Sequence, residues 1–294
     1  MLKKDCVFSF VILNYLTTED TIACVESIQK KCKDYNYNII IVDNDSSNGS
    51  GKELLQRYCG ENNIKVFLNK KNMGFARGNN VGFAYAKEEL NSDFIILCNS
   101  DTEVLEENFC SEIEKKFKET KFAVLGPKEK LVDGTYYPLN RGVRSKEKLK
   151  LDLCYFESEL KKQNVSVKFY QFLIRVYNLI NGIRAIGNRL DCNNEYYDIV
   201  LHGAFLIFSK EYIDLFDGLN PITYFYGEEE FLALRLKKYG LHSVYYPEIE
   251  ILHKRNSATN ASTKSKEQKK KFTLSCHLDA TKKLLAAVKG EIEL

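Results

Sequence analysis

Amide and acidic side chains follow three short apolar runs of the chain, at the point where each run ends. Asn14, Asp43 and the segment Asn99-Ser100-Asp101 occupy these positions. The carboxyl ends of parallel strands meet at one edge of a sheet, where open α/β folds bind ligands. Carboxylate oxygens bind hard divalent cations such as Mg²⁺, so Asp101 is a candidate metal ligand. Asn and Asp also favour turns for local reasons, but three such run ends favour a ligand site.

A second candidate is the acidic segment Glu228-Glu229-Glu230, which follows a glycine. A positioned glutamate can act as a general base and take a proton from a hydroxyl group. Acidic residues are also common in the first turn of a helix, where they interact favourably with the helix dipole. The segment therefore predicts a helix start, and one of its glutamates is a candidate catalytic base.

Glycines in the segment 74–80, which also contains Arg77, permit a close approach of the backbone to a ligand. The segment does not match the Gly-x-Gly-x-x-Gly fingerprint of dinucleotide-binding folds, and it follows the wrong strand. A nicotinamide-dependent dehydrogenase is therefore disfavoured. The sequence also has no Gly-Lys-Ser or Gly-Lys-Thr phosphate loop, which argues against a P-loop ATPase or kinase.

The composition of the 294 residues is that of an ordinary globular protein, with 44% hydrophobic and 28% charged residues. The net charge of +3 gives no argument for a nucleic-acid partner. Nine scattered cysteines without a Cys-x-x-Cys pair indicate reduced thiols and a cytoplasmic location. The first apolar run has no signal-peptide cleavage site and is interpreted as a strand. No run is long enough to span a bilayer, so membrane contact is expected to be peripheral.

Short apolar runs alternate with segments of helical periodicity over the first 126 residues. This alternation is typical of a Rossmann-like α/β fold, a mostly parallel sheet with helices on both faces. Strands are predicted at 7–13, 37–42, 65–68, 93–98 and 122–126, and helices at 17–32, 52–59, 78–89 and 105–117.

The alternation is lost between residues 133 and 198, where a helical insertion is predicted. Its segment 165–186 combines aromatic and aliphatic residues with Lys168, Arg175 and Arg184. A basic amphipathic helix of this kind can lie on an anionic membrane surface, and the basic stretch 264–271 fits the same surface. The alternative is that the segment packs against the sheet or against a second subunit, as in a homodimer.

Regular structure is expected to return after residue 198. The pattern predicts an apolar run, a helix that starts at the acidic segment, two short strands and a C-terminal helix. The corresponding segments are 199–208, 228–239 followed by Gly240, 244–246, 249–252 and 272–288.

Five motifs occur in order along the chain: VILNY (11–15), IVDNDSS (41–47), NMGFARGNN (72–80), LCNSD (97–101) and YGEE (226–229). Together they resemble family 2 glycosyltransferases with the GT-A fold, of the bacterial rhamnosyltransferase-like branch. The resemblance covers about residues 7–259. It implies that the chain moves a sugar from a nucleotide-sugar donor to an acceptor.

The resemblance also implies which residues contact the donor. Asp43 matches the acid that reads the pyrimidine base, whose ring N–H a carboxylate can accept. Asn99-Ser100-Asp101 matches the Asp-x-Asp motif that binds the donor diphosphate through Mg²⁺ or Mn²⁺, although Asn99 replaces the first acid. The implied donor-binding residues are Asn14, Asp43, Asn72, Gly74, Arg77, Asn80, Asn99, Ser100 and Asp101.

The remaining implied roles concern the metal and the acceptor. His253 matches a histidine near the metal or diphosphate, so it is paired with Asp101 as a metal ligand. Glu229 matches the catalytic base. Gly203, Ala204 and Glu228 are expected to contact the acceptor, whereas His202 is expected to be incidental.

The sequence therefore predicts an inverting transferase that uses a UDP- or dTDP-sugar and a bacterial surface glycan, carried on a lipid, as acceptor. Residues 1–260 are interpreted as the GT-A domain, with a nucleotide-sugar half (1–132), the insertion (133–198) and an acceptor half (199–260). A basic linker and a helix occupy 261–294. Two alternatives stay open, a sugar nucleotidyltransferase and a non-catalytic sugar-nucleotide-binding module.

Overall fold

The computed structural model describes residues 6–185, 190–255 and 265–294, and the strands of this part of the chain form one sheet. The strands are β1 (Val7–Asn14), β2 (Asn36–Asp43), β3 (Ile64–Leu68), β4 (Phe94–Asn99), β5 (Thr102–Val104), β6 (Val124–Leu131), β7 (Tyr196–Tyr197), β8 (Phe205–Ser209) and β9 (Ser243–His253). Their order is β3-β2-β1-β4-β8-β6-β9-β5, and β7 pairs with β9.

The sheet is mostly parallel, as the alternation predicts. Strands β3, β2, β1 and β4 run parallel, and so do β6 and β9. Strand β8 joins these two groups by antiparallel pairing with β4 and β6. The predicted α/β fold is therefore confirmed, with antiparallel strands added on the side of the later half.

Helices cover both faces of this sheet. Alternate residues of β1 point to opposite faces, so Phe8 and Phe10 enter one apolar core, and Val11 enters the other. The helices are α1 (Thr18–Cys32), α2 (Ser50–Arg57), α3 (Phe75–Glu88), α4 (Phe109–Thr120), α5 (Lys146–Leu160), α6 (Asn164–Ala185), α7 (Lys210–Ile213), α8 (Glu228–Tyr239) and α9 (Lys266–Lys289).

Some predicted boundaries are wrong. The two strands predicted at 244–246 and 249–252 are one strand, β9, whose pairing with β6 shifts register between Pro127 and Lys128. Pro247, which lies in the skipped segment of β9, has no N–H to donate to a ladder. Of the run 199–208, only the last residues belong to a strand. Helix α9 begins at Lys266, where Ser265 and Gln268 form a capping box.

The register of the central strands places the predicted polar residues at one edge. Asn14 pairs with Asp43 across β1 and β2, and Leu13 pairs with Asn99 across β1 and β4. At the other side of this edge, β5 pairs with β9 and Thr102 lies opposite His253. This pairing brings Asp101 beside the end of β9.

Two helices outside the sheet support α8 from behind. Leu149 of α5, Phe231 of α8 and Leu284 of α9 are all fully buried in one small apolar cluster. Arg144, which precedes α5, forms ion pairs with Glu230 of α8 and Asp152 of α5. The start of α8 is therefore held between the sheet and the α5–α9 pair.

Candidate active site

Asp101 and His253 form one corner of the site. Asp101 lies in the turn between β4 and β5, and its Oδ1 is 3.6 Å from Nε2 of His253. Both residues are buried, at 7% and 6% exposure. The backbone N–H of Lys254 donates to the carbonyl of Asp101 at 2.9 Å, which fixes the turn against the end of β9.

Glu129 of β6 lies behind this corner and contacts two histidines. Its Oε2 is 3.1 Å from Nδ1 of His253 and 2.9 Å from Nδ1 of His202. Burial raises the pKa of Glu129, but the hydrogen bonds from both histidines outweigh burial and hold that pKa below its ordinary value. Glu129, His202 and His253 are also a candidate metal cluster among the described residues, with ligand atoms within 4.8 Å of one another.

The donor chemistry of the corner fits a divalent ion. An ionised carboxylate only accepts hydrogen bonds, so Nδ1 of His253 carries a proton, and in the neutral ring Nε2 presents a lone pair to Asp101. Two electron-pair donors that face each other at 3.6 Å are stabilised by a cation between them. A ligating histidine commonly donates its other N–H to a carboxylate, as His253 does to Glu129. Asp101 and His253 are therefore suited to Mg²⁺ or Mn²⁺.

Glu229 lies in the first turn of α8, opposite this corner. Its Oε1 accepts a hydrogen bond of 2.9 Å from the N–H of Gly203 and lies 3.7 Å from Nε2 of His202. A Cβ atom at Gly203 would be only 3.3 Å from Oε1, so glycine permits this approach. The Glu229 side chain is 35% exposed, which leaves the carboxylate open to a ligand.

The two flanking glutamates have different surroundings. Glu228 is 8% exposed, and burial raises its pKa to about 7. Thr223 donates to Glu228 Oε1 at 3.3 Å. Glu230 is held by Arg144, whose guanidinium donates to its carboxylate at 2.7 Å, so Glu230 points away from the site.

On the side of β1 and β2, Asn14 orients Asp43. The amide of Asn14 donates to Asp43 Oδ1 at 2.6 Å, and its carbonyl oxygen accepts from Thr21 at 2.8 Å. The second carboxylate oxygen of Asp43 accepts from the N–H of Ser46 at 3.0 Å. Asp43 is 4% exposed, and it lies beneath the surface of the edge.

The segment that follows β3 is fastened to the loop before α8. Gly74 has a φ of +81°, and a Cβ there would lie 2.2 Å from the carbonyl oxygen of Tyr224, so only glycine fits. The hydroxyl of Tyr224 donates to Asn72 Oδ1 at 2.8 Å. The side-chain amide of Asn80 donates to the carbonyl of Leu219 and accepts from its N–H. The Arg77 side chain is exposed.

One cleft of about 500 Å³ collects most of the predicted site. The predicted residues that line it are Asn72, Asn99, Ser100, Asp101, Gly203, Ala204, Glu228, Glu229 and His253. Five other predicted residues are not part of this lining, namely Asn14, Asp43, Gly74, Arg77 and Asn80. Asn14, Asp43 and Gly74 instead shape the walls from below.

A second cavity of about 300 Å³ adjoins the cleft, and Tyr137, His202 and Glu229 line both. Tyr137 stacks on His202 with 3.7 Å between ring centroids, and the guanidinium of Arg255 lies over the Tyr137 ring at 5.5 Å. The wall between the two cavities is therefore a stack of a cation and two rings. Leu139, Leu201 and Tyr245 add an apolar lining to the second cavity.

Sequence reasoning missed Glu129 and Tyr137, and it expected His202 to be incidental, although His202 contacts both of these residues. Glu129 lies between two lysines, and this pattern is typical of an exposed strand end. The local sequence therefore does not indicate that Glu129 is buried in the site. His202 contacts Glu129, Tyr137 and Glu229. A signal was present for His202, since a histidine that interrupts an apolar run needs a partner when buried.

The family described as "Glycosyl transferase family 2" matches residues 9–178 of the chain. The chain belongs to this family. The match covers more than half of the sequence and includes β1 to β4, Asp101 and Glu129. The resemblance at the level of the family is therefore confirmed. The rhamnosyltransferase-like branch stays a prediction.

Similar proteins agree with membership in the glycosyltransferase family. Over 120 residues the chain is 27% identical to the low-salt glycan biosynthesis hexosyltransferase Agl10 of Haloferax volcanii. This alignment covers 41% of the chain and 36% of Agl10, so the match spans little more than a third of that relative.

Solved structures show the fold alone, because their identities to this family 2 glycosyltransferase are low. The crystal structure of GalNAc-T7 with UDP, GalNAc and Mn²⁺ has a TM-score of 0.55 at 15% identity, and the match covers 84% of this chain and 44% of that one. The structure of residues 1–349 of TarS from S. aureus has a TM-score of 0.51 at 13% identity, and the match covers 98% and 75%.

Among the described residues of this glycosyltransferase, no helix is long and apolar enough to cross a bilayer.

Proposed function

We propose that the protein is an inverting glycosyltransferase that moves a sugar from a UDP- or dTDP-sugar to a hydroxyl of a bacterial surface glycan on a lipid carrier. The observation that carries the proposal is that Asp101, His253 and Glu229 face one cleft. A metal corner and a basic carboxylate on opposite sides of a cleft suit a displacement between two substrates. The family-level chemistry is glycosyl transfer.

Asp101 and His253 would hold Mg²⁺ or Mn²⁺, which neutralises the charge of the diphosphate leaving group when bound. Arg255 also lines this cleft and adds a fixed positive charge on the same side. Lys254 does not, because its ammonium group forms ion pairs with Asp20 and Glu103. We therefore propose that the donor diphosphate binds between the metal corner and Arg255.

The donor nucleotide is proposed to lie along the edge of β1 and β2. Asp43 has a second lone pair on each oxygen, so it can accept the ring N–H of a pyrimidine while it keeps its bonds to Asn14 and Ser46. Asn72 and Asn44 line the cleft beside it. The roles of Arg77 and Asn80 as donor contacts stay predictions, and Asn80 is already engaged with Leu219.

Glu229 is proposed as the catalytic base. It takes the proton of the acceptor hydroxyl while that oxygen bonds to the anomeric carbon and the bond from this carbon to the diphosphate oxygen breaks. A single displacement of this kind inverts the anomeric configuration. The N–H of Gly203 fixes one oxygen of Glu229, so the carboxylate is oriented before the acceptor arrives.

The second cavity is proposed to take the acceptor sugar. Glu229 lines both cavities. An acceptor hydroxyl that contacts Glu229 from the second cavity would therefore lie next to the donor in the main cleft. Tyr245 offers a ring to a sugar, and Asn140 offers an amide. Gly203, Ala204 and Glu228, the predicted acceptor residues, line the main cleft next to this opening.

A peripheral position on an anionic membrane fits a lipid-linked acceptor. Helix α6 exposes Val165, Phe169 and Phe172, at 85%, 54% and 61%, and Lys168 and Arg175 on the same side. Its sequence contains no acidic residue. The alternative partner for this apolar face is a second copy of the chain.

A nucleotide-release assay across UDP- and dTDP-sugars, dTDP-rhamnose included, with and without Mn²⁺, tests the proposal. Slow hydrolysis of one donor without acceptor, dependent on Mn²⁺, is the expected result, because water can reach Glu229 through the open cleft. The donor that is hydrolysed names the nucleotide. Donor binding without any release, in the presence of acceptor extracts, would instead indicate a non-catalytic module.

A further inference from the structure

Glu129 is a single buried carboxylate that contacts both histidines of the cleft. Its Oε1 is 3.0 Å from Nδ1 of His202, and its Oε2 is 2.9 Å and 3.1 Å from Nδ1 of His202 and His253. Glu129 is 5% exposed. A carboxylate only accepts hydrogen bonds, so both Nδ1 atoms must carry protons.

The other nitrogens of the two rings lie near two different acids of the cleft. Nε2 of His253 lies 3.6 Å from Asp101, at the metal corner. Nε2 of His202 lies 3.7 Å from Glu229, at the proposed base. The hydrogen bond at one ring nitrogen sets which tautomer the ring adopts. A single side chain therefore sets the tautomer at both ends of the site.

We propose that Glu129 is a shared positioning residue, which orients His253 toward the metal and His202 toward the base. The proposal rests on the proposed function for the roles of Asp101 and Glu229. Glu129 acts through the two imidazoles, whose other ring nitrogens lie near Asp101 and Glu229. The metal corner and the base are thereby aligned by one group, and loss of that group changes both.

The distances distinguish this arrangement from a tetrahedral Zn²⁺ ion bound inside the cluster. Zn²⁺ in tetrahedral coordination holds nitrogen and oxygen ligands about 3.4 Å apart, given bonds of about 2.1 Å. The Glu129–histidine distances of 2.9 to 3.1 Å are those of direct hydrogen bonds. An ion inside the cluster would also require Nδ1 of both rings to lose its proton.

Nitrogen-15 NMR of the histidine rings in the full-length protein tests the tautomers directly. The chain has four histidines, so spectra of His202→Ala and His253→Ala assign the two signals. At about pH 9, where imidazoles are neutral, we expect Nδ1–H tautomers for both residues, with EDTA and with Mg²⁺ alike. Nε2–H tautomers for both, or loss of the Nδ1 protons on addition of Mg²⁺ or Zn²⁺, would overturn the proposal.

Mn²⁺ binding, measured by electron paramagnetic resonance in the presence of UDP, tests the consequence. Glu129→Met keeps the length of the side chain and removes both acceptor oxygens, and it should weaken Mn²⁺ binding about 10- to 100-fold. Glu250→Met, on the neighbouring strand β9 and 27% exposed, is the matched control and should bind as the wild type does. Equal Mn²⁺ affinity in Glu129→Met and the wild type would contradict the proposal.

A second pair of variants separates positioning from general loosening. In a His253→Ala background, Glu129→Met should weaken Mn²⁺ binding no further, whereas in a His202→Ala background it should still do so. Equal further losses in both backgrounds would show a structural effect only and overturn the proposal. If Glu129→Met does not fold, Glu129→Gln, which removes one acceptor oxygen, is measured in the same way, and a smaller loss is expected.

The proposal and the proposed function can fail separately. Nδ1–H tautomers that depend on Glu129, in a wild-type protein that binds no Mn²⁺, would support the positioning role and contradict the metal. Mn²⁺-dependent donor hydrolysis with Nε2–H tautomers would support the function and contradict the positioning role.

Discussion

Glu228 and Glu229 are adjacent in sequence but lie in different surroundings. Consecutive side chains on a helix point about 100° apart, so Glu228 turns into the protein and Glu229 turns to the cleft. Burial raises the pKa of Glu228 to about 7, while Glu229 stays about one-third exposed. The two residues are therefore expected to respond differently to the same substitution.

Glu229→Gln should reduce kcat about 100-fold or more, because an amide cannot take the acceptor proton. The dissociation constant of the donor should not change, since the amide oxygen can still accept from Gly203. Single-turnover transfer and donor titration measure the two quantities. Glu211→Gln, on the exposed side of α7, is the control, and unimpaired turnover of Glu229→Gln would exclude it as the base.

Glu228→Gln should change how stability depends on pH. The folded pKa of about 7 lies above the ordinary value of 4.5, so the folded state binds the proton more tightly than the unfolded state. The contribution of Glu228 to stability is complete below pH 4.5 and is lost as pH rises through 7. The variant should gain on the order of 2–3 kcal/mol over the wild type between pH 5 and pH 8.

Urea denaturation of Glu228→Gln and of the wild type, at about pH 5 and at about pH 8, measures this difference in stability. Glu211→Gln again serves as the control, because its side chain is exposed in the folded state. The same difference between Glu228→Gln and the wild type at both pH values would contradict the raised pKa.

The positions of site residues were predictable from sequence where a motif combined a residue type with a strand end. Asp101 and His253 are such cases, since strand order alone places their ends at one edge. Glu129 and Tyr137 were not predictable, because their roles depend on the packing of β6 and the loop after it against His202. Glu129 and His202 are 73 positions apart, and a contact over this distance produces no hydrophobic periodicity in either segment.

At the scale of elements, Arg144 links the start of α5 to the start of α8. Its guanidinium pairs with Glu230 at 2.7 Å and with Asp152 at 3.1 Å, and both carboxylates are under a tenth exposed. Glu230 thus depends on this cation, whereas Asp152 also pairs with Lys148. The orientation of the helix that carries Glu229 depends on the same contact.

Arg144→Ala should lower the free energy of unfolding by about 3 kcal/mol, because it leaves the buried charge of Glu230 without its cationic partner. Chemical denaturation measures the loss. Lys282→Ala, which removes a largely exposed pair with Glu157, should cost under about 1 kcal/mol. A loss no larger for Arg144→Ala than for this control would show that the buried pairs contribute little.

The elements of the first half followed from periodicity, and those around β9 did not. The alternation of apolar runs and helical segments predicted β1 to β4 within a few residues. The break at Pro247 suggested two strands, although the chain continues as one strand with a shift of register. Sequence periodicity registers the interruption, but only the partner strand β6 determines whether pairing resumes.

At the scale of the whole molecule, α6 exposes several large apolar side chains, namely Val165, Phe169, Phe172, Leu179 and Ile180. Its exposed residues lie on one side, and its charged residues are basic. An anionic membrane and a second subunit both fit this face, because either of them would cover its exposed apolar side chains. Binding to vesicles separates the membrane from the second subunit.

The protein should co-sediment with vesicles that contain phosphatidylglycerol at low salt, and less with neutral vesicles. Replacement of Phe169 and Phe172 by alanine should reduce binding about tenfold or more, since both rings would leave the interface. Leu215→Ala, at 56% exposure outside α6, is the control. Equal binding to neutral and anionic vesicles would contradict electrostatic attachment, and a concentration-dependent dimer that the Phe variants dissociate would identify α6 as a subunit interface.

The stack of Arg255, Tyr137 and His202 forms the wall shared by the two cavities, and the chain contains no tryptophan. Tyr137→Trp would therefore introduce a single indole whose fluorescence comes from this wall alone. An indole between a cation and an imidazole senses any change in their spacing. The same position thus offers a fluorescent probe that reports occupancy of either cavity without a label. No other tryptophan of the chain would contribute to the signal.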